Sequence, residues 1–304
     1  MHPLALAAGT AAASLTWAAV VEPRAFTVRR FDVPVLAPGS APLRVLHLSD
    51  THMTSGQRMK QRWLRGLADL EPDLVVNTGD NLSAVDALPS VLSAYGDLLD
   101  LPGVFVFGSN DYFSPVLKNP VGYLTGGTGV ATRGQWHRTA DLPFEQMRRA
   151  FIDRGWTDLT NRHGELQVAG RTVSFVGVDD PHLEYDVLDD EPADPRADLA
   201  IGVAHAPYLR VLDRWTSQGY PLLLAGHTHG GQLRVPLYGA LVTNCDLDRS
   251  RARGLHRHVA GGNEAWMHVS AGIGCAPTSP VRFACRPEAT LLTLTAVDSS
   301  GLPQ

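Results

Sequence analysis

Leu43-Arg44-Val45-Leu46-His47-Leu48-Ser49-Asp50-Thr51-His52 decides how this chain is read. The stretch opens as an apolar, strand-like run and closes on a carboxylate and an imidazole. Such groups are costly to bury without a partner. A run that carries Asp50 and His52 into a core therefore points to ligands rather than to packing. The device recurs along the chain: the apolar run 74–76 leads to Gly79-Asp80, and 104–107 leads to Asn110-Asp111. The run 199–204 leads to His205, and 222–225 leads to Gly226-His227-Thr228-His229. Mixed carboxylate, imidazole and amide-oxygen donors suit Mn, Fe or Zn better than Ca or a thiolate-bound ion. Seven donors are too many for one tetrahedral ion and fit two divalent metal ions sharing a carboxylate.

In this order, the clusters resemble the calcineurin-like metallophosphoesterases, whose pattern runs D-x-H, G-D, G-N-H-[DE], a lone His and G-H-x-H. The matching stretches are Asp50-Thr51-His52, Gly79-Asp80-Asn81, Gly108-Ser109-Asn110-Asp111, Ala204-His205-Ala206-Pro207 and Gly226-His227-Thr228-His229-Gly230-Gly231-Gln232. The resemblance runs from about residue 43 to the end. The trailing Gly-Gly-Gln and the ending Cys285-Arg286-Pro287-Glu288 are similar to the YkuE-like branch. The resemblance implies an α/β fold of two packed mixed β-sheets flanked by helices, an α/β/β/α sandwich. It implies that Asp50, His52, Asp80 and His229 hold one ion, and that Asp80, Asn110, His205 and His227 hold the other. Water made acidic between the cations would attack phosphorus while its charge is neutralised. The implied activity is hydrolysis of a phosphomonoester or phosphodiester, with a lipid-linked or amphiphilic phosphate in view. The alternatives are a cyclic-nucleotide phosphodiesterase and a non-catalytic scaffold of the same fold.

One cluster departs from the family pattern. In Gly108-Ser109-Asn110-Asp111, an ungapped match puts Ser109 on the ligand Asn and Asn110 on the His that protonates the leaving group. A small backbone shift instead keeps Asn110 as ligand, which is preferred here because an amide oxygen binds metal better. Asn110 is thus both a ligand and the catalytic candidate. Its amide can hydrogen-bond phosphate but cannot act as a general acid. For a poor leaving group that loss is worth ~10²–10⁴-fold in rate. His182, as a substrate contact, and His137 are the substitutes to weigh against ordinary surface histidines.

A chain of 304 residues with 44% hydrophobic content fits one catalytic domain over residues 43–304. The net charge of −5 offers no nucleic-acid surface, and the short basic stretch around Arg249, Arg251 and Arg253 reads as a solvated loop. Cys245, Cys275 and Cys285 lack C-x-x-C spacing and read as free thiols, with Cys275 and Cys285 free to pair in an oxidising compartment. Residues 3–21 are uncharged and about long enough to span a bilayer, and the Met1-His2 before them is no basic stretch; residues 1–21 are taken together as one segment. They read as a membrane anchor or signal-like segment, followed by a linker at 22–42. Arg24, Arg29 and Arg30 lie beyond it, which favours a cytoplasmic catalytic domain. The expected partner is a phosphate-ester small molecule or lipid, at a membrane and without nucleic acid.

Elsewhere, apolar periodicity predicts helices over 57–70, 88–101 and 144–154, and strands over 166–168, 172–178, 266–269 and 291–296. The Gly-rich stretch 114–141 follows the Asn110 cluster and reads as a substrate-facing lid or membrane-facing flap. The acidic stretch 184–198 reads as an exposed loop.

Overall fold

A computed structural model describes residues 3–116, 139–235 and 237–297. Two six-stranded mixed sheets form the frame. The first runs in the order β1 (Thr27–Leu36), β14 (Glu288–Ala296), β2 (Leu43–Leu48), β3 (Leu74–Asn77), β4 (Gly103–Phe105), β5 (Thr157–Asp158). The second runs β12 (Gly254–Ala260), β13 (Asn263–Val269), β9 (Leu222–Ala225), β8 (Leu199–Val203), β7 (Arg171–Gly177), β6 (Arg162–Val168). Strands β2 to β5 are parallel, as are β7, β8, β9 and β13. A short ribbon of β10 (Arg234–Val235) and β11 (Gly239–Ala240) stands apart.

Period-two alternation sorts the apolar side chains into layers. Leu43, Val45, Leu74, Val76 and Val104 face the other sheet and pack on Phe175, Ile201, Val203, Leu222 and Leu224. Leu46, Leu48, Val75, Phe105 and Phe107 face outward beneath helices carrying Leu64, Val91, Met147 and Phe151. On the second sheet Val176, Leu223, Met267 and Val269 lie under Val211, Leu212 and Trp215. The helices are α1 (Pro3–Thr16), α2 (Arg58–Arg65), α3 (Leu88–Tyr95), α4 (Phe144–Ile152) and α5 (Leu209–Ser217). The expected α/β/β/α sandwich is the architecture observed. Helices α2 and α3 are shorter than predicted because each tightens into a 3₁₀ turn, at Gly66–Leu70 and Gly96–Asp100.

The stretch expected as a linker is partly sheet: β1 pairs in parallel with β14 from Thr27↔Glu288 onward. The apolar helix α1 passes through a π-helical turn (Trp17–Val21) to a 3₁₀ turn (Glu22–Arg24). Among the described residues no helix is long and apolar enough to cross a membrane. Residues 117–138, which hold most of the expected flap and His137, lie outside the described residues.

Candidate metal centre

Every expected ligand cluster leaves the carboxyl end of a buried strand, and there the backbone breaks sharply. Asp50, His52, Asp80, His227 and His229 all adopt positive φ, between 43° and 67°. Left-handed backbone costs a non-glycine residue of order 1–3 kcal/mol and persists where surroundings over-determine it, often at functional sites. Here each break turns a side chain over the sheet edge instead of along the strand. Packing is tight enough that two glycines are obligatory. A Cβ on Gly108 would collide with Asp80 Oδ1 and sit 2.6 Å from the His205 ring. One on Gly226 would collide with Ser49 Oγ and sit 2.7 Å from Asp50 Oδ2.

Asp50, His52, Asp80 and His229 bring one ligand atom each within 4.8 Å of one another. His52 Nε2 lies 3.2 Å from His229 Nε2 and 3.4 Å from Asp80 Oδ2, and His229 Nε2 lies 3.5 Å from Asp50 Oδ1. The outward atoms of these side chains are tied down. Ser49 Oγ donates to Asp50 Oδ2 at 2.5 Å and the His227 backbone N–H donates to the same oxygen at 3.0 Å. That leaves Asp50 Oδ1 buried with no hydrogen-bond partner. His52 Nδ1 rests 3.1 Å from Ser83 Oγ.

His205 and His227 stand beside this set rather than within it. His205 Nδ1 contacts the Thr78 carbonyl at 2.7 Å, leaving Nε2 unpartnered and 3.6 Å from Asp80 Oδ1. His227 Nε2 contacts the Asn244 carbonyl at 3.2 Å, which frees Nδ1, and its ring centre lies 5.2 Å from that of His205. Burial holds His52 and His227 well below the usual imidazole range and brings His229 down to about 3, so these rings are neutral and competent as ligands. Burial also raises the carboxyls of Asp50 and Asp80. At His205 burial acts downward, but Asp80, Asp180 and Asp50 outweigh it and push the ring up to about 9. These carboxylates call for positive charge near His205 Nε2. Together with the two orphaned atoms and the nitrogen-and-oxygen donor set, this suits divalent cations.

The Gly108 cluster departs from its expected arrangement. Asp111 accepts from the backbone N–H of Asp80 (2.8 Å), Asn81 (2.7 Å) and Gly108 (3.0 Å), which fixes the helical turn Ser109–Tyr112. Asn110 then donates its backbone N–H to Asp80 Oδ1 and its Nδ2 to Asp80 Oδ2, both at 2.7 Å. It thus presents N–H groups to the Asp80 carboxylate, where the sequence reading expected a ligand oxygen. His182 is no surface histidine: it is 8% exposed, its Nδ1 lies 3.0 Å from Tyr208 Oη, and its ring centre is 4.5 Å from that of His227.

Sequence reasoning missed two buried basic side chains behind the site. Lys60 Nζ donates to the carbonyls of Thr51 (2.7 Å) and His52 (3.3 Å). Arg282, fully buried, donates Nη2 to the carbonyls of Ala271, Gly272 and Gly274 and approaches His229 Nδ1 at 3.3 Å. Neither sits in a motif. A lysine in the arginine-rich helix α2 and an arginine near the C-terminus look like surface residues until the fold is known.

The family model for calcineurin-like phosphoesterases matches residues 43–231. The chain is similar to the uncharacterized metallophosphoesterase YkoQ of Bacillus subtilis (strain 168), at 26% identity over 83% of this chain and 84% of that protein. It is similar to phosphodiesterase YaeI of Escherichia coli (strain K12), at 28% identity over 90% of each chain. YkuE, another uncharacterized metallophosphoesterase of Bacillus subtilis (strain 168), is 24% identical over 95% of this chain and 93% of its own.

Proposed function

Because the chain belongs to the calcineurin-like phosphoesterase family and so is a metal-dependent phosphoric ester hydrolase, we propose that it is a two-ion phosphodiesterase. The observation that carries this reading is the set of buried Asp50, His52 and Asp80 with half-buried His229, closed to within 4.8 Å at strand ends. Similarity to a protein named a phosphodiesterase supports a diester over a monoester. Asp50, His52, Asp80 and His229 would hold one divalent ion; Asp80, His205 and His227 would hold the second. When bound, such ions polarise phosphate oxygens and make water a nucleophile at neutral pH. Asn110 would keep the catalytic role expected of it, as a donor: its N–H groups fix the Asp80 carboxylate, and the second hydrogen on its Nδ2 would be offered to an entering phosphate. His182, braced by Tyr208 against His227, would contact the substrate. No imidazole follows Gly108, so the leaving group departs without the help of a proton from that position.

Hydrolysis of a series of aryl and alkyl phosphodiesters and monoesters with added Mn²⁺, Zn²⁺ or Fe²⁺ tests this. Diaryl esters should turn over fastest, with rate falling steeply as leaving-group pKa rises. A flat dependence would show that another residue supplies the proton. A preference for monoesters would overturn the diester assignment.

We further propose that residues 3–21 attach the protein to a membrane surface, which would give it access to an amphiphilic phosphate. Leu15, Trp17, Val20 and Val21 are 71%, 48%, 52% and 41% exposed, an uncommon cost for side chains of this kind in water. A cyclic-nucleotide diester is the second substrate reading. A scaffold role is disfavoured by the retention of Asp80 and His229.

A further inference from the structure

The second ion of the proposed pair, as built above, has Asp80, His205 and His227 but no oxygen of its own. Ser109 stands where the family pattern has its ligand Asn, and Asn110 turns an amide nitrogen to Asp80. A buried carboxylate that no motif points to lies at the same edge. Strand β7 pairs with β8 in the register Gly177↔Val203, and the Val178 N–H continues to the Val203 carbonyl at 3.4 Å. Asp180 and His205 therefore follow adjacent parallel strands at their carboxyl ends, three and two residues beyond that pair.

Asp180 is fully buried. Its Oδ1 accepts the His182 backbone N–H at 2.8 Å, while Oδ2 has no hydrogen-bond partner. Other buried carboxylates outside the ligand set have compensating partners: Asp158 Oδ2, which likewise accepts no hydrogen bond, is ion-paired with Arg148 Nε at 3.1 Å, and Asp111 takes three backbone N–H groups. Among the described residues no lysine or arginine pairs with Asp180. The charges its carboxyl senses most are His205 and then Asp80. Asp50 Oδ1 and His205 Nε2, the other unpartnered charged-group atoms at this edge, both belong to the ligand set. A buried carboxylate oxygen without a partner calls for a cation.

We infer that Asp180 is a metal ligand, which supplies the second ion with the oxygen that the Gly108 cluster does not. This rests on the two-ion reading and extends it. The turn 180–182 then serves both parts of the site, with Asp180 on the ion and His182 beside His227. Asn244, whose carbonyl accepts from His227, also has an unpartnered Oδ1. Being neutral, it has less need of a cation and serves as the comparison.

The test loads the full-length protein with Mn²⁺, removes free metal, and measures bound manganese together with the electron paramagnetic resonance spectrum. Wild type and Asn244→Ala should hold about two ions per chain and show the exchange-coupled signal of a pair. Asp180→Asn should hold about one, with the uncoupled signal of isolated Mn²⁺, and Asp180→Glu should recover part of the second ion. A coupled pair retained at full occupancy in Asp180→Asn would overturn the inference, as would loss of the second ion in Asn244→Ala alone. A single ion in the wild type would instead overturn the two-ion reading beneath it. If Asp180→Asn proves unstable, Asp180→Glu decides: an ion lost there at an unchanged metal-free melting temperature keeps the assignment, and a coupled pair at full strength with its affinity unaltered rejects it.

Discussion

At the scale of single residues, the site is a set of atoms chosen by what their neighbours leave free. Asp50 Oδ1 and His205 Nε2 are available because Ser49, the His227 N–H and the Thr78 carbonyl occupy the atoms behind them. Asp80 is the hinge of the arrangement, within 3.6 Å of both His52 and His205. Replacing it by Asn removes the charge that the proposed pair of ions would share, worth several kcal/mol of transition-state stabilisation. The expected result is a fall in kcat by ~10²–10³-fold with loss of bound metal and an unchanged circular-dichroism spectrum. Gly108→Ala should do comparable harm without touching a ligand, since its methyl group collides with Asp80 and the His205 ring. Metal content after dialysis checks it, and wild-type content would show that the site yields more than the geometry allows. Most residues of the site were legible in the sequence because each is punctuated by an apolar run before it. Asp180 lies in no motif that would mark it, and the motif match at Asn110 does not say which way its amide turns.

At the scale of elements, the runs with one strong period were legible and the mixed ones were not. The strands β3 and β9 are buried along their length and, Asn77 apart, show in the sequence as unbroken apolar runs. β1 did not, because Thr27–Leu36 lies at a sheet edge and carries Arg29, Arg30, Asp32 and Pro34 among its apolar residues. Helix α5 was missed as well, since Val211, Leu212 and Trp215 make too short a stripe to separate from strand-like sequence. The N-terminal segment is the clearest case. Read from sequence it is a detachable anchor, yet Glu22 is 2% exposed and accepts from the Ala284 and Cys285 backbone N–H groups and from Trp17 Nε1. The Arg282 N–H also donates to the Ala18 carbonyl at 2.9 Å. Glu22→Ala leaves buried donors unsatisfied, at a cost of about 1–3 kcal/mol each. Chemical denaturation should show that loss, and truncation before Thr27 should exceed it. A truncated protein as stable as the intact one would show that these contacts contribute nothing.

At the scale of the whole molecule, the two sheets meet over a buried histidine pair. His47 on β2 and His268 on β13 approach through their Nδ1 atoms at 2.9 Å. Burial brings His47 down to about 3 and holds His268 well below the usual range, so both are neutral in the fold. Unfolded, they take up protons below pH ~6.5, so protons favour the unfolded chain there. Stability is therefore full above pH ~6.5 and lost as pH falls from there toward 3, by up to ~1.4 kcal/mol per unit for each histidine. His268→Leu should give a shallower acid slope than wild type in denaturation between pH 7 and 5, and an identical slope would contradict the pair's role. The frame these sheets provide has one consequence above others: five strand ends converge on one place where cations are required. Metal-stripped protein titrated with Mn²⁺ while it hydrolyses a diaryl phosphate tests that most directly. The account predicts no activity at the start and saturation at about two equivalents per chain. Undiminished activity in the stripped protein, or saturation at one equivalent, would contradict it.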